Sequence, residues 1–122
     1  MKTIIPQMTE LGFAAIRSGS LEEAESIFIS LTDIAEDDAA GFIGLATIKL
    51  SHGDVDMAID HLENGLKKTT VNVHEARKLL LIAYMLKGNE AGAEALHSQF
   101  IADHGAGAST HDVERAATFF GG

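Results

Sequence analysis

Residues 53–66 read GDVDMAIDHLENGL, and the fold follows from this stretch. Gly53 has no Cβ and can adopt φ > 0, the conformation in which many helices close. Asp54 stands where the next helix needs an acceptor for its unpaired N–H groups. Ala58 falls one turn inside that helix, where a small side chain lets two antiparallel helices approach and a larger one would hold them apart. Upstream, GFIGLATIKLSH (residues 41–52) is the apolar helix that ends at the turn. Downstream, the second helix runs to Lys67 and Lys68. The unit is one helix, a glycine turn and a second helix.

The same unit occurs three times. Leu45, Gly53 and Ala58 have counterparts 34 residues earlier, at Leu11, Gly19 and Ala24, and 35 residues later, at Leu80, Gly88 and Ala93. Self-similarity at that period marks stacked helix-turn-helix units. In the first unit, Ser20 with Glu23 predicts a capping box for LEEAESIFISLTDIAE. In the third, Asn72 and Glu75 are expected to cap VHEARKLLLIAYMLK, and Gly88–Asn89 to make the turn. Arg17, Lys49 and Lys87 lie near the ends of the three first helices, where the macrodipole favours cations by less than about 1 kcal/mol each. No segment alternates with period two over a useful length, so strands are not expected.

These residues resemble the tetratricopeptide repeat over about residues 5–104. GDVDMAIDHLENGL matches that family's Gly-Asp-x-x-x-Ala turn, Leu11-Gly12 its Leu-Gly pair, and Tyr84 its aromatic position. Two positions depart from the pattern. The proline that commonly closes a unit is absent, since Pro6 is the only one, and His97 stands where a large apolar residue is usual. The resemblance implies an all-α, TPR-like solenoid in a single domain over residues 1–122. Its units are expected at about 5–38, 39–72 and 73–107. A capping helix over about 109–120 would follow the GAGAST break, with Ser109 and Asp112 as caps. Val113, Ala116, Ala117 and Phe120 would then cover the apolar end of the stack. A mobile tail that a partner displaces is the alternative for that segment.

Composition narrows the functional classes. A formal charge of −9 argues against nucleic acid, whose binding needs a basic footprint. Acidic residues cluster at Glu22, Glu23, Glu25, Glu36, Asp37 and Asp38, and again at Asp54, Asp56, Asp60 and Glu63, and helix capping and solvation account for nearly all of them. The absence of cysteine excludes disulfides and thiolate metal sites. No stretch approaches the ~20 apolar residues of a membrane span, and MKTIIPQMTE lacks the apolar region of a signal peptide, so a cytoplasmic location is expected. The six histidines lie in different elements except His97 and His104, and two ligands without a third make a poor zinc site. No G-x-S-x-G, H-E-x-x-H or glycine-rich phosphate loop is present. Gly105 and Gly107 sit in a loop and not between a strand and a helix. Neither enzymatic activity nor a metal or cofactor is expected.

The informative surplus is GFIGLATIKL, which is apolar nearly all round; such a helix is buried all round. The resemblance assigns the first helix of each unit to a concave groove. Carried onto this chain, the groove positions are Phe13, Ile16, Ile43, Thr47, Leu50, Ile82, Met85 and Leu86, with Arg17, Lys78 or Glu75 at the rim. That stripe is mostly apolar. It is covered either within the molecule or by a homodimer, or it sequesters an apolar or amphipathic helix of another protein. A short, acidic, cysteine-free, three-unit chain of this kind is similar to the small tetratricopeptide chaperones of bacterial type III secretion systems. Those hold aggregation-prone secreted subunits, notably the needle subunit, before export. The resemblance implies non-enzymatic protein binding as a chaperone or adaptor. A structural subunit that self-associates through the same stripe is the alternative.

Overall fold

The computed structural model describes residues 4–104, with side chains through Gln99. Six α-helices make up the described chain: α1 (Ile4–Arg17), α2 (Leu21–Ile34), α3 (Ala40–Ser51), α4 (Val55–Leu66), α5 (Val73–Lys87) and α6 (Glu90–His104). The expected capping helix over 109–120 lies outside the described residues. Each helix packs on the next in chain order, and α3 also touches α1 and α5.

Three turns share one backbone geometry. Gly19, Gly53 and Gly88 have φ of 84°, 78° and 80°. In each turn the following residue donates to a carbonyl five positions back: Ser20 to Ala15, Asp54 to Lys49 and Asn89 to Tyr84, at 2.8–2.9 Å. This is the Schellman closure, which requires the left-handed residue that glycine supplies without strain.

Of the three caps expected within the described residues, at Ser20, Asp54 and Asn72, only that at Asp54 forms, and Asn89 adds one that was not expected. Asp54 accepts from the Met57 N–H at 3.2 Å, and Asn89 accepts from the Gly92 N–H at 2.9 Å. Ser20 makes no capping bond, so the expected capping box is not formed; its hydroxyl instead accepts from Ser18 Oγ at 3.3 Å. Ser20 and Asp54 have similar backbone angles, but a carboxylate reaches one bond farther than a hydroxyl. Asn72 makes no cap either. It sits at φ 61° in the left-handed region, and its Nδ2 donates to Asp38 Oδ1 at 2.9 Å.

That contact makes Asp38 an exception among acidic residues that capping and solvation otherwise account for. Asp38 is buried, and the same Oδ1 also accepts from the Ala40 N–H at 2.9 Å. Around it the backbone pairs as an isolated parallel bridge between Asp38 and Val71. Ala39 N donates to Val71 O, and Val71 N donates to Asp37 O. These bonds tie the α2–α3 joint to the α4–α5 joint.

The core has two centres. The first gathers Ala15, Ala24, Phe28, Leu31, Leu45 and Ile48. The second gathers Ala46, Leu50, Ala58, Leu62, Leu96 and the run from Leu79 to Ala83. Helix α3 contributes to both, Leu45 and Ile48 to one and Ala46 and Leu50 to the other. Its all-round apolar composition is thereby used inside the molecule. Phe28 fills the first centre, seated against two glycines. A Cβ on Gly12 would lie 2.6 Å from its ring, and one on Gly44 would lie 2.1 Å away. The Phe13 ring meets it edge-on, with centroids 5.0 Å apart. Gly65 receives the Phe42 ring in the same manner, since a Cβ there would lie 2.6 Å from it.

Candidate protein-binding surface

The eight groove residues, with Arg17 at their rim, divide by burial. Phe13 and Ile16 on α1 are half-buried, packed against the first core centre, and Ile43 on α3 is half-buried against the second. Thr47 is half-buried, and its hydroxyl donates to the Ile43 carbonyl at 2.7 Å, so its own helix satisfies it. Met85 and Leu86, in the last turns of α5, are exposed, as is Arg17 at the end of α1. Leu50 and Ile82 are not on an open surface. They are 7 % and 2 % exposed and belong to the second core centre. The contact between α3 and α5 uses the area that the groove assignment reserved for a ligand.

What stays accessible is an apolar set spread over three helices, Met85 and Leu86 exposed and Phe13, Ile16 and Ile43 half-buried. The helices carrying it are neighbours, because α3 lies against both α1 and α5. Its charged rim is weakly organised. Lys78 and Glu75 form an exposed pair at 3.6 Å, a type that contributes little.

Other faces carry charge. Asp33, Glu36 and Asp37 line a cleft of about 570 Å³ with Thr32, Phe42 and Lys68. The Lys68 ammonium lies 5.1 Å from the Phe42 ring centroid, a cation–π contact that holds a positive charge beside the three carboxylates. A second cleft, of about 540 Å³, is bounded by Lys67, Arg77, Glu63 and Gln99 over a floor of Leu66, Leu80 and Leu96. On the α4–α5 side, Lys87 pairs with Asp56 at 2.9 Å, and Tyr84 donates to Glu63. Burial, then that hydrogen bond and the Glu63 charge, push the Tyr84 phenol up to about 12. His61 is held below its ordinary value of 6.5 by burial and by Lys49, against opposing effects of Asp60, Glu25 and Asp54.

The titratable groups do not converge on one point. Among the described residues no three His, Cys, Asp or Glu side chains are placed to hold a metal ion. No described helix is long and apolar enough to cross a membrane. Sequence reasoning missed Gly44 and Gly65, and noted Gly12 without its packing role; as seats for Phe28 and Phe42 these three set how closely the helices approach. Their signal was present, since glycine inside a helical pattern costs stability unless close packing requires it. Comparison of the chain with protein-family models, with curated proteins and with solved structures gives no match.

Proposed function

We propose that this chain is a TPR-like solenoid of three helical hairpins that binds a segment of another protein without catalysis. Its role in this reading is that of a cytoplasmic chaperone or adaptor, of the kind that holds a type III secretion subunit before export. The observation that carries the reading is the exposure of Met85 and Leu86 beside the half-buried Phe13, Ile16 and Ile43. These make an apolar strip across the first helices of consecutive units. Three glycine turns with like φ angles and the same hydrogen bonds support the repeat architecture.

The ligand in this reading is an amphipathic helix, because apolar residues spread over adjacent helices accept the apolar face of a helix laid across them. Binding is driven by apolar burial, at about 25 cal/mol per Å² before the costs of association. Arg17 at the rim orients the ligand. Leu50 and Ile82 support the strip from beneath, because they hold α3 and α5 together.

A photo-crosslinking residue placed at position 85 and expressed in the native host tests this. It is expected to capture one protein with an amphipathic helix, while the same residue at position 63 captures none. Met85→Asp with Leu86→Asp is expected to abolish capture and leave the helical circular dichroism unchanged. Undiminished capture by that double variant would move the partner to another surface.

A further inference from the structure

Leu11, Leu45 and Leu80 share one register position, yet Leu11 is 60 % exposed where Leu45 and Leu80 are 8 % and 4 % exposed. Residues on the same helix face behave alike. Gly41 and Ile48 on α3, and Ala76 and Ala83 on α5, are buried. Helix α3 has α2 before it, and α5 has α4. Their α1 counterparts, Gln7 and Ala14, are exposed and half-buried, since no described helix precedes α1. Ile4, Gln7, Leu11 and Ala14 are spaced three, four and three apart, as in a coiled-coil seam. The adjoining face of α1, with Ile5, Met8, Gly12 and Ala15, is already committed to the first core centre.

We propose that the Leu11–Ala14 part of this face of α1 pairs with the same part of a second copy of this chain, the two helices running antiparallel. The charge pattern selects that occupant. Glu10 and Arg17 are both exposed and stand seven residues apart on the flank of the seam that points away from the core. In an antiparallel pair centred between Leu11 and Ala14, Glu10 of one copy comes beside Arg17 of the other, and the two-fold axis repeats the contact. A parallel pair would need matching charges on the opposite flank, where Met8 and Ala15 face the core. A head-to-tail stack is also disfavoured. It would set α6 against α1, and α6 carries His97 where α2 and α4 carry Phe28 and Leu62.

The inference rests on the repeat register; it shares only Arg17 with the groove, whose apolar residues Phe13 and Ile16 lie on a different face of α1. A single helix pair buries less than the roughly 1,000 Å² of a lasting interface, so the dimer is weak and reversible.

Sedimentation of the full chain over about three decades of concentration tests it. A monomer–dimer equilibrium is expected. Leu11→Glu should weaken it by about tenfold or more without loss of helical signal. Glu10→Arg alone should weaken it, and adding Arg17→Glu should restore it, because the double change re-forms the ion pair with reversed polarity. Met85→Asp should leave it unchanged. A monomer at every concentration would overturn the proposal, as would a dimer insensitive to Leu11→Glu. A dimer lost only in Met85→Asp would place self-association in the groove. A monomer whose Leu11→Glu variant loses capture of another protein would assign the face to that protein instead.

Discussion

Helices α1 and α3 are built to one pattern and live in different surroundings. Both carry leucine at the same register position, glycine where Phe28 approaches, and a glycine turn after the last residue. Helix α3 lies between four neighbours and feeds two core centres. Helix α1 has described neighbours on one side only, and its leucine faces outward. A repeat position therefore predicts an orientation within the unit. Whether the side chain is buried depends on whether another unit is stacked against it.

The largest test of this difference is a charge placed at Leu50 on α3. Leu50→Asp puts an unpaired carboxylate into the second core centre, and it is expected to cost more than about 4 kcal/mol and prevent stable folding. Met85→Asp, in exposed sequence on α5, should leave the thermal midpoint nearly unchanged. Circular dichroism separates the two outcomes. If both variants fold equally well, the α3–α5 contact is not as close as described.

Truncation at the shared leucine position measures the comparison directly. Leu45→Ala should cost roughly 2–5 kcal/mol by cavity formation, and Leu11→Ala should stay within about 0.5 kcal/mol in dilute solution. Urea unfolding of both reports the gap. Equal losses would mean that α1 is covered in the isolated protein.

A smaller effect is expected at the glycines beneath Phe28. Gly44→Ala should destabilise by about 1–3 kcal/mol, because the new methyl meets the ring and α3 cannot retreat from four neighbours. Gly12→Ala should cost less, since α1 can shift outward. Reversal of that order would count against α1 as the less constrained helix.

The smallest effect is electrostatic. Burial and Lys49 of α3 keep the His61 pKa below 6.5, so the unfolded chain takes up that proton more readily. The stability this contributes is present above pH 6.5 and is lost as pH falls through the lower folded-state value. Urea midpoints taken from about pH 7 down to about pH 5 should fall more steeply for the parent chain than for His61→Gln. Identical slopes would place the acid sensitivity elsewhere.

Much of the backbone was legible along the chain. The turns at Gly19, Gly53 and Gly88 and the cap at Asp54 depend on residues within one helical turn, so local chemistry decides them. The burial of Ala24 and Ala58 was legible as well, because their counterpart helices are adjacent in sequence. The Ser20 capping box and the Asn72 cap were not. Ser20 accepts from the Ser18 hydroxyl, and Asn72 is drawn to a buried carboxylate 34 residues away. The groove was legible only in outline. Exposed Met85 and buried Ile82 lie three residues apart on one helix, and the approach of α3 separates them.

The sequence by itself determined the helices, their turns and the register of three similar units, because hydrophobic periodicity, glycine and capping act over a few residues. Tertiary structure alone decided which members of that register are covered. Burial depends on contacts between residues tens of positions apart. Those contacts enclose Leu45 and Leu80 and leave Leu11 in solvent.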